Sequence, residues 1–155
     1  MNKLIIPVLG AGLFLAGCNT VHEEPLKVSS PVHNHKVNTK IEDRLKEKAH
    51  KHNVPYKLAH SIVYHESKFN HKAIGRGTYG LGQLKCPTAK SLGFSGPCKN
   101  LLDIDINLEY SMRYLRKALD AANNNECYAA TLYNRGIGNK PKSSTYCRKI
   151  LAKYK

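Results

Sequence analysis

The sequence has no tryptophan, only 11 acidic residues against 25 basic ones, and no apolar run long enough to cross a bilayer comfortably. The shortage of acid leaves a formal charge of +14. Such a surface favours anionic partners: nucleic acid, an acidic lipid leaflet or an acidic polymer. Charge alone does not choose among them. Two chemistries are excluded by what is missing around their motifs. "GRGTYG", Gly75 to Gly80, has the glycine spacing of a dinucleotide fingerprint. A helical pattern precedes it, however, and no parallel sheet is predicted to carry it. It reads as a tight loop, or as a loop that lets a ligand pass close to backbone. His65 and Glu66 invite a zinc-protease reading, but Phe69 stands where the second histidine is required. His33 with His35, and His50 with His52, fall in a tether or on a polar helix and read as solvated. No metal and no cofactor is expected.

What is present begins with an export signal. "MNKLIIPVLGAGLFLAGC" opens with Lys3, runs through a short apolar stretch and ends in small residues before Cys18. "LAGC" resembles the bacterial lipobox, where the peptide is cut before a cysteine that is then acylated. That resemblance implies a signal peptide over residues 1–17, acyl chains on Cys18 and a membrane anchor without a spanning helix. Asn19, where aspartate would retain such a protein at the inner membrane, implies the outer membrane of a double-membraned bacterium, facing the periplasm. The alternative is an ordinary signal peptide cut nearby. Export argues against nucleic acid as a partner. It also places Cys86, Cys98, Cys127 and Cys147 in an oxidising compartment. Four cysteines allow three pairings, which spacing leaves open. The favoured set is Cys86–Cys98, bracketing "CPTAKSLGFSGPC", with Cys127–Cys147, tying a helix to the C-terminal one. Each bridge would add about 2–4 kcal/mol, so reduction with alkylation is expected to lower the melting temperature.

The 155 residues suggest one domain with appendages. Residues 18–38 hold Cys18 and then a stretch with Pro25, Pro31 and a serine pair, and read as a flexible tether. The folded domain is expected over residues 39–155, all helix and no strand. "TKIEDRLKEKAHKH" carries Ile41, Leu45 and Ala49 on one thin edge. "VPYKLAHSIVYHES" has Pro55 placed for a first turn. "PTAKSLG" reads as a short helix between Pro87 and Gly93. "DIDINLEYSMRYLRKALDAANN" is the clearest helix: Leu108, Met112, Leu115 and Leu119 form one stripe, and Asp103 or Asp105 can cap its start. "ECYAATLYNRG" is apolar nearly all round and reads as central. "SSTYCRKILAKY" closes the chain.

Glu66 is the conspicuous residue. It lies three after Val63 and four after Ile62, so a carboxylate shares the face of an apolar stripe. An unpaired buried charge is costly, so such a group pairs, neutralises or does chemistry. The structural alternative is an ion pair with an arginine such as Arg113 or Arg135.

Several segments in order resemble the lytic transglycosylases with a goose-lysozyme-like catalytic domain. They are Glu66-Ser67, "YGLGQLKCPTAKSLG", "NLLDIDINLEYSMRYL", "LYNRGIG" and "TYCRKIL", spanning roughly residues 55 to 152. The resemblance implies a small all-α, lysozyme-like helical domain with a substrate groove. It implies cleavage of the bond between N-acetylmuramic acid and N-acetylglucosamine in peptidoglycan, by one acid, Glu66. The sugar's own acetamide would attack the anomeric carbon. Glu66, now ionised, would take the C6 hydroxyl proton, giving a 1,6-anhydromuramoyl end without water. By the same resemblance Gln83 and the backbone around Gly80 line the groove, Tyr133 and Asn134 bind sugar, Tyr146 orients Glu66, and Ser67 assists or merely ends its helix. The sequence departs from the pattern at Gly82, where many relatives carry methionine, which implies an altered groove wall. Leu132 replaces the usual alanine. Arg135 replaces a small residue, either to meet muramyl or peptide carboxylates or as a helix-end charge. Two further readings stay open on the same scaffold: a wall-binding or secretion-assembly module without activity, and a hydrolysing muramidase. A cell-wall or secretion complex stays open as a further partner.

Overall fold

A computed structural model describes residues 31–139 and 145–152, with side chains described from Thr39. The elements run α1 (Pro31–Lys51), α2 (Tyr56–Ser67), β1 (Thr78–Tyr79), β2 (Leu84–Lys85), α3 (Cys86–Ser91), a 3₁₀ turn (Cys98–Leu102), α4 (Ile104–Ala121), α5 (Glu126–Arg135) and α6 (Thr145–Leu151). The fold is all-α and lysozyme-like apart from one small hairpin, as expected. Among the described residues no helix is long and apolar enough to cross a membrane. Cys18, the signal segment and most of the expected tether lie outside the described residues.

The apolar stripes become the core. Ile41, Leu45 and Ala49 of α1 and Leu108, Met112, Leu115 and Leu119 of α4 are all at most 1% exposed. Each large one removed from water contributes about 1.5–3 kcal/mol. They meet Leu58, Ile62 and Val63 of α2 and Ala129, Ala130 and Leu132 of α5 in one cluster. A second, smaller cluster holds Leu84, Ala89, Phe94 and Leu101 around Cys86. Both favoured disulfides form, Cys86–Cys98 beside that small cluster and Cys127–Cys147 between α5 and α6.

Helix ends account for most boundaries. Asp103 caps α4, its carboxylate accepting from the Ile106 N–H at 3.0 Å. Asp105, the other cap candidate, instead binds Arg44 at 2.7 Å and ties α4 to α1. Helix α1 begins at Pro31 rather than near Thr39. A proline that reads as a breaker inside a tether is also well suited to a helix's first turn, where its missing N–H is not needed. At the end of α2 both Lys68 (φ 55°) and Phe69 (φ 61°) are left-handed, which stops the helix immediately after Ser67. Burial of the Phe69 ring against His60 and Tyr64 holds that stop in place.

The expectation of no strands is corrected by the hairpin. Thr78 pairs with Lys85 and Tyr79 with Leu84. Strands of two residues are too short to show alternation in a sequence. Contacts from α4 and α5 hold the hairpin instead.

Glu109 of α4 is mostly buried between α1 and α4. It bonds to Lys51 at 2.9 Å, His52 at 3.0 Å and Arg113 at 3.0 Å, so His52 is a structural partner rather than a solvated bystander. Burial opposes its ionisation, but the Lys51 and Arg113 hydrogen bonds and the nearby charges prevail and bring its pKa from 4.5 to about 2. Its stabilising effect is therefore complete above pH 4.5 and lost as pH falls towards 2. In an acid titration monitored by circular dichroism, Glu109→Gln should be less stable than the wild type at pH 7. The two should converge near pH 2.

Candidate active site

Glu66 is the penultimate residue of α2, and the abrupt end of that helix leaves its carboxyl half-buried at the surface of the core. Its Oε1 accepts a 2.6 Å hydrogen bond from the Tyr146 hydroxyl on α6. Burial raises the Glu66 pKa above the ordinary glutamate value, while the Tyr146 bond and the neighbouring His65 oppose that shift. Burial, together with the Glu66 charge, pushes the Tyr146 phenol far up, so it stays a donor. The His65 ring packs edge-on to Tyr146 at 4.8 Å. Among the described residues no ion pair reaches Glu66. Arg113 is occupied by Glu109 and the Leu92 carbonyl, so the arginine-paired alternative is overturned there.

Glu66 opens on a groove of about 310 Å³. Gln83, Tyr133 and Asn134 line it with Glu66, as expected. Thr78, Lys85, Thr88, Tyr114 and Arg135 also line it. For Arg135 the sequence leaves a groove contact or a helix-end charge open; the other four are not assigned to the groove by the sequence, although Lys85, Thr88 and Tyr114 fall inside the matching segments. Glu66 is the one carboxylate among the described lining residues. Asp103 and Asp105 are engaged elsewhere, as a helix cap and as the Arg44 partner.

Two expected groove residues lie elsewhere. Ser67 is buried and donates to the Val63 carbonyl of its own helix at 3.2 Å. Its hydroxyl ends α2 and does not line the groove. Gly80 is buried in the turn that joins β1 to β2, and a Cβ there would come within 2.4 Å of the Asn107 amide and 2.5 Å of the Leu101 carbonyl. The close approach it permits is to α4 and the 3₁₀ turn, not to a ligand. Gly82 is likewise turned inward: a Cβ would meet Ser111 Oγ at 2.2 Å and the Tyr133 hydroxyl at 2.6 Å. Its lack of a side chain permits close packing against α4 and α5 and does not open a groove wall.

The hairpin is fastened by side chains. Gln83, at φ 46°, donates to the Gly80 carbonyl at 2.9 Å and the Ala73 carbonyl at 3.2 Å, and accepts from Thr78 Oγ1 at 2.7 Å. Its amide therefore organises the turn while its stem lines the groove. The Tyr133 hydroxyl donates to the Gly82 carbonyl at 2.8 Å, and its ring rests on Tyr114 at 5.1 Å. Asn134 is exposed beside it with its amide facing no bonded protein partner among the described residues. Asn107, fully buried, donates to the Tyr79 and Leu101 carbonyls and accepts from the Gly82 N–H and the Ser111 hydroxyl. It was read from the sequence only as part of a matching segment.

Residues 43–152 match the Transglycosylase SLT domain. The chain belongs to that family. It is similar to a solved structure of an inactive mutant of lytic transglycosylase Slt from Pseudomonas aeruginosa, at 27% identity and a TM-score of 0.57. The similarity covers 62% of this chain and 17% of that one, so this chain spans about a sixth of that enzyme's length.

Proposed function

We propose that this protein is an exported lytic transglycosylase that cleaves the N-acetylmuramic acid to N-acetylglucosamine bond of peptidoglycan and leaves 1,6-anhydromuramoyl ends. The observation that carries the reading is the lone groove carboxyl, Glu66, half-buried and hydrogen-bonded by the Tyr146 phenol. Burial favours the protonated acid, which donates its proton to the glycosidic oxygen as the bond to the anomeric carbon breaks. The substrate's acetamide oxygen attacks that carbon in place of a second enzyme carboxylate. The resulting Glu66 carboxylate, steadied by the Tyr146 hydroxyl, takes the proton of the C6 hydroxyl. The C6 oxygen then closes onto the anomeric carbon, releases the acetamide and regenerates the acid. No water enters. The Pseudomonas relative is described as inactive with a glutamate changed to glutamine, in keeping with one essential glutamate.

The test is digestion of purified sacculi with the products weighed by mass spectrometry. The expected fragments carry anhydro ends, each lighter by one water than a hydrolytic product. Reducing ends would mark a muramidase, and no release would mark a binding or assembly module. Tyr146→Phe is expected to keep the fold and lower kcat by about 10- to 100-fold. Loss of a bond that favours the ionised form raises the Glu66 pKa, so the alkaline fall in kcat/KM should move to higher pH. An unmoved pH profile would remove Tyr146 from its role.

The "LAGC" ending supports acylation at Cys18, and Asn19 supports residence at the outer membrane, with the catalytic domain in the periplasm. Radiolabelled palmitate should enter the wild-type protein and not Cys18→Ala.

A further inference from the structure

The groove holds two cations that the proposed chemistry does not use. Lys85 and Arg135 both line it, and both are exposed. They come from different elements. Lys85 ends β2, opposite Thr78 in the hairpin, and precedes the first turn of α3. Arg135 ends α5, where Gly136 turns at φ 97° and gives its N–H to the Leu132 carbonyl at 2.8 Å. The Asn139 amide covers the Arg135 carbonyl. Each cation is thus presented from a fixed backbone.

Neither has an acidic partner among the described residues. What sets them apart from the other cations is their place: they are the two cations among the described lining residues of the groove. Nor is either bonded to the acid, whose carboxyl accepts from the Tyr146 hydroxyl. Two unpaired cations in one groove match a ligand that brings its own anions. The guanidinium fork of Arg135 suits a carboxylate, and the Lys85 ammonium acts as a mobile point charge.

We propose that Lys85 and Arg135 read carboxylates on the peptide substituent of the muramic acid residue. The preferred substrate is then a peptide-bearing strand with free carboxylates. This rests on the transglycosylase reading for the identity of the glycan. The sugar rings of such a strand are uncharged, and where the lactyl group is amide-linked its acid charge resides on the stem peptide. The cations therefore select by substituent and leave bond cleavage to Glu66.

The test uses the full chain carrying Glu66→Gln, so that binding is measured without turnover. Two probes are compared by calorimetry: a soluble peptide-bearing muramyl tetrasaccharide, and the same fragment with its carboxylates amidated by carbodiimide and ammonia. The native probe is expected to bind about five- to tenfold more tightly at low salt, with the difference shrinking as salt rises. Adding Lys85→Ala and Arg135→Ala should bring the two affinities together, while Lys85→Arg with Arg135→Lys should keep most of the difference. Equal affinity for both probes in the starting chain, an undiminished preference in the double alanine variant, or no binding to either probe would overturn the proposal. The sacculus digestion keeps the two readings apart. Anhydro products without discrimination between probes sink this inference alone. Discrimination without released products sinks the catalytic reading alone.

Discussion

Glu66→Gln should abolish release of fragments from sacculi, with a loss of at least about 10³-fold, and leave a folded protein. General acid and general base contributions are each worth about 10²–10⁴-fold, and this one side chain is assigned both. Glutamine keeps the shape and can still accept from the Tyr146 hydroxyl that now bonds at 2.6 Å. It has no proton to transfer. The variant should also melt at the same temperature as the wild type or slightly higher at pH 7. The folded-state carboxyl has a raised pKa, so it binds its proton more tightly folded than unfolded. Stability is therefore lost as pH rises from the unfolded value towards the folded one, and glutamine escapes that loss. Below the ordinary glutamate pKa of 4.5 the advantage should vanish. Calorimetric scans at the two pH values, beside the digestion assay, check both halves. Near wild-type turnover, or a large fall in melting temperature, would contradict the assignment.

Asn107→Leu should be the most damaging single substitution away from the acid. The amide donates at 2.8 Å to the Tyr79 carbonyl and at 2.7 Å to the Leu101 carbonyl, and accepts at 2.8 Å from the Gly82 N–H. Leucine would leave these three backbone groups buried and unpaired. At about 1–3 kcal/mol each, the loss approaches the whole stability of a small domain, about 5–15 kcal/mol. Urea denaturation should show a large fall in midpoint or no cooperative transition. Asn107→Asp keeps the acceptor but turns a buried carboxylate oxygen towards the Tyr79 and Leu101 carbonyls, so it too should fall far below the wild type at pH 7. A midpoint for Asn107→Leu close to the wild type would mean that the hairpin is held by something else. Activity should fall with stability, because the hairpin carries Gln83 and Lys85 into the groove.

These two residues mark where the sequence could be read and where it could not. Glu66 was legible because helical periodicity is local: Ile62 and Val63 fix its face within one turn. The α4 stripe of Leu108, Met112, Leu115 and Leu119 was legible for the same reason, and all four are buried. Asn107 lies 25 residues from Gly82 in sequence and 28 from Tyr79. No pattern within a segment reports a polar tie of that length, and a two-residue strand leaves no alternation to see. Glycines misled for a related reason. Close backbone approach can be inferred from composition, but what approaches cannot, and at Gly80 and Gly82 it is α4 and Tyr133 rather than a sugar. Ser67 misled because adjacency to Glu66 in sequence puts the two on different sides of α2, and its hydroxyl goes to Val63. The cations of the groove were half-visible. Arg135 stood out by its position, whereas Lys85 reaches the same groove through the unforeseen hairpin.

The central claim is that the Glu66 carboxyl keeps its proton beyond the range of an ordinary glutamate because burial at the end of α2 outweighs the opposing hydrogen bond from Tyr146. Carbon-13 NMR of the side-chain carboxyl, assigned by its absence in Glu66→Gln and followed through a pH titration of the full chain, measures this directly. The account predicts a midpoint clearly above 4.5, rising further in Tyr146→Phe. A midpoint at or below that ordinary value would contradict it.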